Sequence, residues 1–385
     1  MPTPSAGPPT TAPRGAVAIA SAAALVVTLI AGNGCVDDEE VAPAGEAPRV
    51  SSGPAGTHAL APSPVRRFAL HHLSDPDAVC NDGSPGAYFL RPGTPGNDRW
   101  IIHLSGGDMC ASPAACATRW AQAPQLMSST LLPTTIHPGG IFSLDHGKNP
   151  VFAEDNHVVV HYCSSDLYAG TGEDAGAGWR FHGRAIVDAV IADLPLASAE
   201  RVVVSGHSAG SYGVYAHADA VAAALPGVEV LAMTDAGGAV LHPPMNPALP
   251  TILALASAGL AYWSGQVDAS CAAAWPAEPA RCLFVDGVLA HLDTPTLVTM
   301  AQDDVPYLSY LGVTPPLDPQ EQAFAAGVGA QIAAALASAD GAFVPAHGPH
   351  GVLGSDAAWT LSIGGVTPYQ VVQAFVAGTP ILAIE

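Results

Sequence analysis

Residues 201–213 read RVVVSGHSAGSYG, three consecutive valines running into Gly206-His207-Ser208-Ala209-Gly210. A serine hydroxyl attacks a carbonyl only when a base takes its proton and a sharp strand-to-helix turn exposes its oxygen. Here an apolar strand pattern meets GxSxG and a helical pattern starts at once. Gly206 and Gly210 allow the close backbone approach such a turn needs. Ser208 is therefore the candidate nucleophile, and the N–H of Ala209 would point at a developing oxyanion. A bare GxSxG arises easily by chance in a chain with 40 Gly, and its plainer reading is a small-residue turn closing a buried strand. The flanking strand and helix favour the catalytic reading.

A serine of this kind needs a base and an acid, which follow it in the chain order nucleophile, acid, histidine. Asp303 and Asp304 follow the probable strand 296–300, where a loop at the carboxyl edge can aim an acid. Asp235 also ends a strand; it comes early and is expected to fix local backbone, but it stands as the third candidate for the acid. Only His347 and His350 lie beyond Asp303, both in 343-FVPAHGPHGVLG-354, and the chemistry of the residues leaves the two open. A second glycine-rich loop, 101-IIHLSGGDMCASPAACATRW-120, follows an early strand. The N–H groups of Gly107 and Asp108 are placed to face negative charge on a tetrahedral intermediate. Cys110 and Cys116 are close enough to pair, so the loop also reads as a crosslinked turn, and both readings are compatible.

The elements that must position these groups alternate. Strand patterns fall at 99–104, 157–162, 201–206, 228–235 and 296–300, short and nearly continuous as buried parallel strands are. Helical patterns fall at 181–194, 209–225, 321–339 and 369–377. The expectation is an α/β fold, an α/β-hydrolase-like central and mostly parallel sheet with helices on both faces. Segment 241–290, rich in Pro and Trp with two cysteines, reads as an elaborated loop or lid. Within it 250-PTILALASAGLAYW-263 is either an apolar pocket wall or a buried lid helix.

Residues 1–35 read as an export signal: Arg14 precedes the apolar run 15–32, and small residues follow. Cys35 marks a lipoprotein-type cleavage site where lipid would attach. Residues 36–65 read as a Pro, Ala, Gly and acid-rich linker, so the folded body is expected over 66–385. Removing Cys35 from seven cysteines leaves six, an even set that suggests disulfides in an exported chain. Their spacing is not that of a zinc site. Twelve Lys and Arg against 33 Asp and Glu give a formal charge of -21, which opposes binding to nucleic acid or anionic lipid. The expected location is outside the cytoplasm, either secreted, periplasmic or at the cell surface.

Taken together, 103-HLSGGDMC-110, 149-NPVF-152, 156-NHVVVHYCSSDLYAG-170, 181-FHGRAIVDAVIADL-194, 204-VSGHSAGSYGV-214 and 234-TDAG-237 resemble the pectin acetylesterase and Notum family of extracellular serine carboxylesterases, over about residues 70 to 375. The resemblance implies ester deacylation without metal or organic cofactor, acting on an ester substrate such as an acetylated polysaccharide. It implies Ser208 as nucleophile and Asp303 as acid, ahead of Asp304. It implies His350 as base, because Phe343 and Pro345 keep their spacing to it while His347 falls nearer a family cysteine. Gly107, Asp108 and Ala209 correspond to the oxyanion donors. Cys80–Cys163 and Cys110–Cys116 resemble family disulfides, leaving Cys271 with Cys282. Where the family carries an aromatic just before the loop cysteine, this chain has Asp108-Met109, and an acid turned inward there would oppose the oxyanion. Acetylated or methylated pectin, a neutral acetylated glycan and a small ester are all compatible with the charge. The competing expectations are a secreted lipase or polyester depolymerase, and a non-catalytic glycan-binding homologue.

Overall fold

The computed structural model describes residues 66–385, so the expected export signal (1–35), the expected linker (36–65) and Cys35 lie outside the described residues. The main sheet has nine strands: β1 (Ala69–His72), β2 (Ala87–Arg91), β3 (Arg99–Leu104), β4 (Asn156–Val160), β7 (Arg201–His207), β8 (Glu229–Asp235), β9 (Thr296–Thr299), β10 (Gly341–Val344) and β11 (Leu382–Ile384). β5 (Gly172–Asp174) and β6 (Trp179–Phe181) form a separate antiparallel ribbon. The strand order is β1-β2-β4-β3-β7-β8-β9-β10-β11. β2 pairs antiparallel with both β1 and β4, and every other neighbour pair is parallel. The helices are α1 (Pro113–Gln122), α2 (Gly183–Asp193), α3 (Ala209–Ala224), α4 (Ile252–Trp263), α5 (Ala269–Ala274), α6 (Val285–Val288), α7 (Val305–Tyr310), α8 (Pro319–Leu336) and α9 (Pro368–Val376).

The alternation of side chains along a strand builds a core on each face of the sheet. Trp100, Ile102 and Leu104 of β3 and Val202 and Val204 of β7 face a core shared with α2, α3 and α8. Ile101 and Val203 face the other, with Val371, Val372 and Phe375 of α9. The sheet is thus buried on both sides, which explains why its central strands read as continuous apolar runs. The mostly parallel sheet flanked by helices is as expected. Strands β1, β2, β10 and β11 were not expected. They span three to five residues each, and it is pairing rather than internal pattern that makes them strands. Segment 241–290 holds α4, α5 and α6 rather than a loop alone.

Parallel pairing aligns the carboxyl ends. His207 sits opposite Asp235, and Asp235 opposite Thr299. The turns after β3, β7, β8, β9 and β10 therefore converge at one edge, where open α/β sheets hold their ligands. The three disulfides are Cys80–Cys163, Cys110–Cys116 and Cys271–Cys282, the pairing expected.

Candidate active site

Ser208 occupies the turn between β7 and α3 with φ 52° and ψ -118°, a conformation L-residues rarely adopt. The surroundings leave it no alternative. A Cβ at Gly206 would lie 2.3 Å from the Gly210 carbonyl oxygen, and one at Gly210 would lie 1.8 Å from that of Leu104. The turn is tied to β8 as well: the Ser208 N–H donates to Asp235 O at 2.7 Å. Ser211, one turn into α3, donates from Oγ to the carbonyls of Gly206 and Asp235 at 3.0 and 2.9 Å. The motif pointed at Ser208 but not at Ser211, whose role depends on a strand 24 residues away.

His350 Nδ1 lies 2.7 Å from Asp304 Oδ2, and Asp304 is 1% exposed. Asp304 is also the N-cap of α7, its Oδ1 accepting from the Tyr307 N–H at 2.9 Å. One oxygen is thus held by the helix start and the other faces the imidazole. This corrects the expectation for Asp303, whose Oδ2 pairs with His347 Nδ1 at 2.7 Å on the surface, with side chains 40% and 87% exposed. The physical reason is local. Asp304 precedes Val305-Pro306, a helix start that turns a capping side chain inward, and its neighbour then faces out. That Asp-x-Pro signal was present in the sequence.

Asp235 fixes backbone, as expected. Its carboxylate accepts from Thr299 Oγ1 at 2.6 Å and from the N–H groups of Val352 and Leu353 at 2.8 to 3.0 Å. It therefore clamps the chain just after His350. Burial pushes this carboxyl up, but bonds from His207, Thr299 and Val352 outweigh that and hold it below its ordinary value. The His207 ring lies 5.0 Å from that of His350. For His350, burial pushes the imidazole down; the bond to Asp304 and the charges of Asp304, Asp235 and Asp108 together raise it above its ordinary value.

Ser208, Ala209 and His350 share a cavity of about 80 Å³ with Asp304, Asp108 and Met109, walled by Tyr212, Tyr307 and Tyr310 and by Ile252 and Ala256 of α4. The apolar segment 250–263 is thus largely the helix α4, and through Ile252 and Ala256 it is a pocket wall. The N–H groups of Gly107 and Asp108 have no acceptor among the described residues, and that of Ala209 heads α3 where helical N–H groups lack internal partners. Trp263 Nε1 donates to Cys110 O at 2.7 Å, joining the glycine loop to α4. Asp108, at φ 64°, does not hang free: its Oδ1 accepts from the Met109 N–H at 2.8 Å and from the Tyr310 hydroxyl. Among the described residues no group of three or more His, Cys, Asp or Glu side chains is arranged to hold a metal ion.

A strained serine, a buried acid–histidine pair and unpaired N–H groups around one cavity are the parts of acyl transfer through a serine. Comparison with known proteins agrees. Residues 61–332 match the family described as Pectinacetylesterase. The palmitoleoyl-protein carboxylesterase NOTUM of Drosophila melanogaster is 31% identical over 303 residues, 75% of this chain and 45% of that protein. Pectin acetylesterase 5 of Arabidopsis thaliana is 27% identical over 272 residues, 68% of this chain and 63% of that protein. The chain spans about half the length of the first of these curated relatives. The solved structure of the Wnt deacylase Notum from Drosophila superposes with a TM-score of 0.79 at 28% identity, covering 83% of this chain and 97% of that one. The nucleophile turn and the glycine loop lie inside the matched residues and the sheet agrees with a solved relative, so this chain belongs to the pectinacetylesterase family.

Proposed function

We propose that the protein is an exported serine carboxylic-ester hydrolase that removes a short acyl group, acetyl above all, from a glycan. The observation that carries the reading is the cavity shared by Ser208 and by His350, whose Nδ1 is held at 2.7 Å by buried Asp304. His350 takes the Ser208 proton through its other nitrogen as Oγ attacks the ester carbonyl. Asp304 orients the imidazole and stabilises its charged form. The N–H groups of Gly107, Asp108 and Ala209 receive the oxyanion. Collapse expels the alcohol, which takes the proton from His350, and leaves acyl-Ser208. Water, deprotonated by His350, then releases the carboxylic acid and restores the serine.

A cavity of about 80 Å³ has room for an acetyl group beside Ser208, since one water needs roughly 10–15 Å³ of such space. The three disulfides support export, free or lipid-anchored through Cys35. A second reading, a lipase or polyester depolymerase, draws support from the apolar wall of Ile252, Ala256, Leu283 and Phe284.

Ser208→Ala should lower kcat/KM for p-nitrophenyl acetate by at least about 1,000-fold while leaving the melting temperature near that of the parent. Parent-like turnover in that variant overturns the reading. A p-nitrophenyl series from acetate to palmitate should peak at the short end, and a peak at long chains supports the second reading instead.

A further inference from the structure

Asp108 is the feature of the site that ester hydrolysis does not require. Its own N–H is one of the groups offered to the oxyanion, so its carboxylate lies within one side chain of the scissile carbonyl. Its orientation is fixed, because the Met109 N–H and the Tyr310 hydroxyl both donate to Oδ1. Burial and the neighbouring charge of Asp108 push the Tyr310 phenol up, so it remains a proton donor to that oxygen. Oδ2 has no partner among the described residues, and the residue is exposed at the cavity mouth. The other acid in the lining, Asp304, has both oxygens committed, to Tyr307 and to His350. No Lys or Arg lines the cavity. Arg119 of α1 is buried with Nε on Ser165 Oγ at 2.8 Å and is not part of the lining. An arriving ester therefore meets one open carboxylate oxygen, a lining with no Lys or Arg, and a chain of formal charge -21.

We propose that Asp108 is a specificity-determining residue: Oδ2 accepts a hydroxyl of a neutral acetylated glycan, and its charge rejects esters with a carboxylate beside the scissile bond. This rests on the ester-hydrolase reading above and names its substrate class as neutral glycan rather than polyuronate. A sugar hydroxyl and an ionised acceptor make one of the stronger hydrogen bonds available. Two carboxylates a few ångströms apart repel, within the Debye length of about 10 Å at 0.1 M salt.

The test is acetate release from one acetylated oligogalacturonate in two forms, free acid and methyl ester, which differ in the charge beside the acetyl group. The native enzyme should favour the methyl ester in kcat/KM by at least about tenfold at low salt, a gap that narrows as salt rises. Asp108→Asn should close it to within about twofold, whatever that variant does to the absolute rate. Asp303→Asn, which removes an equal charge from the surface outside the cavity, should leave the gap in place. Asp108→Ser serves where the Asn variant lacks the native near-ultraviolet circular dichroism. Equal kcat/KM for the two forms in the native enzyme overturns the proposal. So does a gap that survives loss of Asp108 or that Asp303→Asn closes equally. Failure of the native enzyme to hydrolyse p-nitrophenyl acetate overturns instead the esterase reading beneath it.

Discussion

Asp303 and Asp304 are neighbours of the same type, and only one of them faces His350. Asp304 is fixed twice, by the α7 amide and by the imidazole, so its replacement removes both the orientation and the charge the histidine depends on. Asp304→Asn should lower kcat/KM by about 1,000-fold or more, whereas Asp303→Asn, at an exposed pair, should change it by no more than about twofold. The pH profile adds a sign. His350 acts as a base only when neutral, so the rate rises with pH through its pKa. The net effect of burial and three acids raises that value above the ordinary 6.5. The acid limb of kcat/KM should therefore fall above that pH in the native enzyme and move downward in Asp304→Asn, where the largest opposing contribution to burial is lost. An acid limb that does not move on loss of Asp304 would remove it from the histidine's partners.

At the scale of elements, the turn after β10 must bring His350 back over β7 and β8, and Gly351 is where it does so. Gly351 has φ 95°, and a Cβ there would lie 2.4 Å from Cε1 of His207. Its backbone is then clamped by Asp235 through Val352 and Leu353. Gly351→Ala should cost about 1–2 kcal/mol of stability, read from urea denaturation, and at least about tenfold in kcat/KM, because the imidazole is displaced along with the turn. A variant with full activity would show that the turn tolerates another path. The same scale explains what the sequence made legible. The central strands announced themselves because both their faces are buried, and α3 because a helical pattern followed the serine without a break. β10 was hidden in the histidine segment because it opens on Gly341-Ala342, residues of low strand propensity, whereas the equally short β9 is Thr-Leu-Val-Thr.

Across the whole molecule the disulfides act on different lengths of chain. Cys80–Cys163 closes a separation of 83 residues and joins the segment before β2 to the loop after β4, while Cys271–Cys282 closes 11 within the lid region. On a chain-entropy account the longer closure stabilises by roughly 2 kcal/mol more than the shorter. The Cys80→Ala/Cys163→Ala protein should therefore unfold at lower denaturant than Cys271→Ala/Cys282→Ala. The reverse order would show that packing around α5, not loop closure, dominates.

The sequence by itself determined the strand-turn-helix around Ser208, the order in which the candidate nucleophile, acids and histidines occur, and the double-faced sheet. These are local in origin: glycines at a strained turn, branched residues in buried strands, and residues confined to the ends of strands. Only the tertiary structure decided that Asp304 rather than Asp303 meets His350, that Ser211 ties the elbow to β8, and that Tyr310 holds Asp108 across 202 positions of chain. Each of these depends on which way a side chain faces once distant elements have packed. Local pattern encodes the backbone's preferences, but the partner a carboxylate finds is set by the strand register and helix start that bring it there.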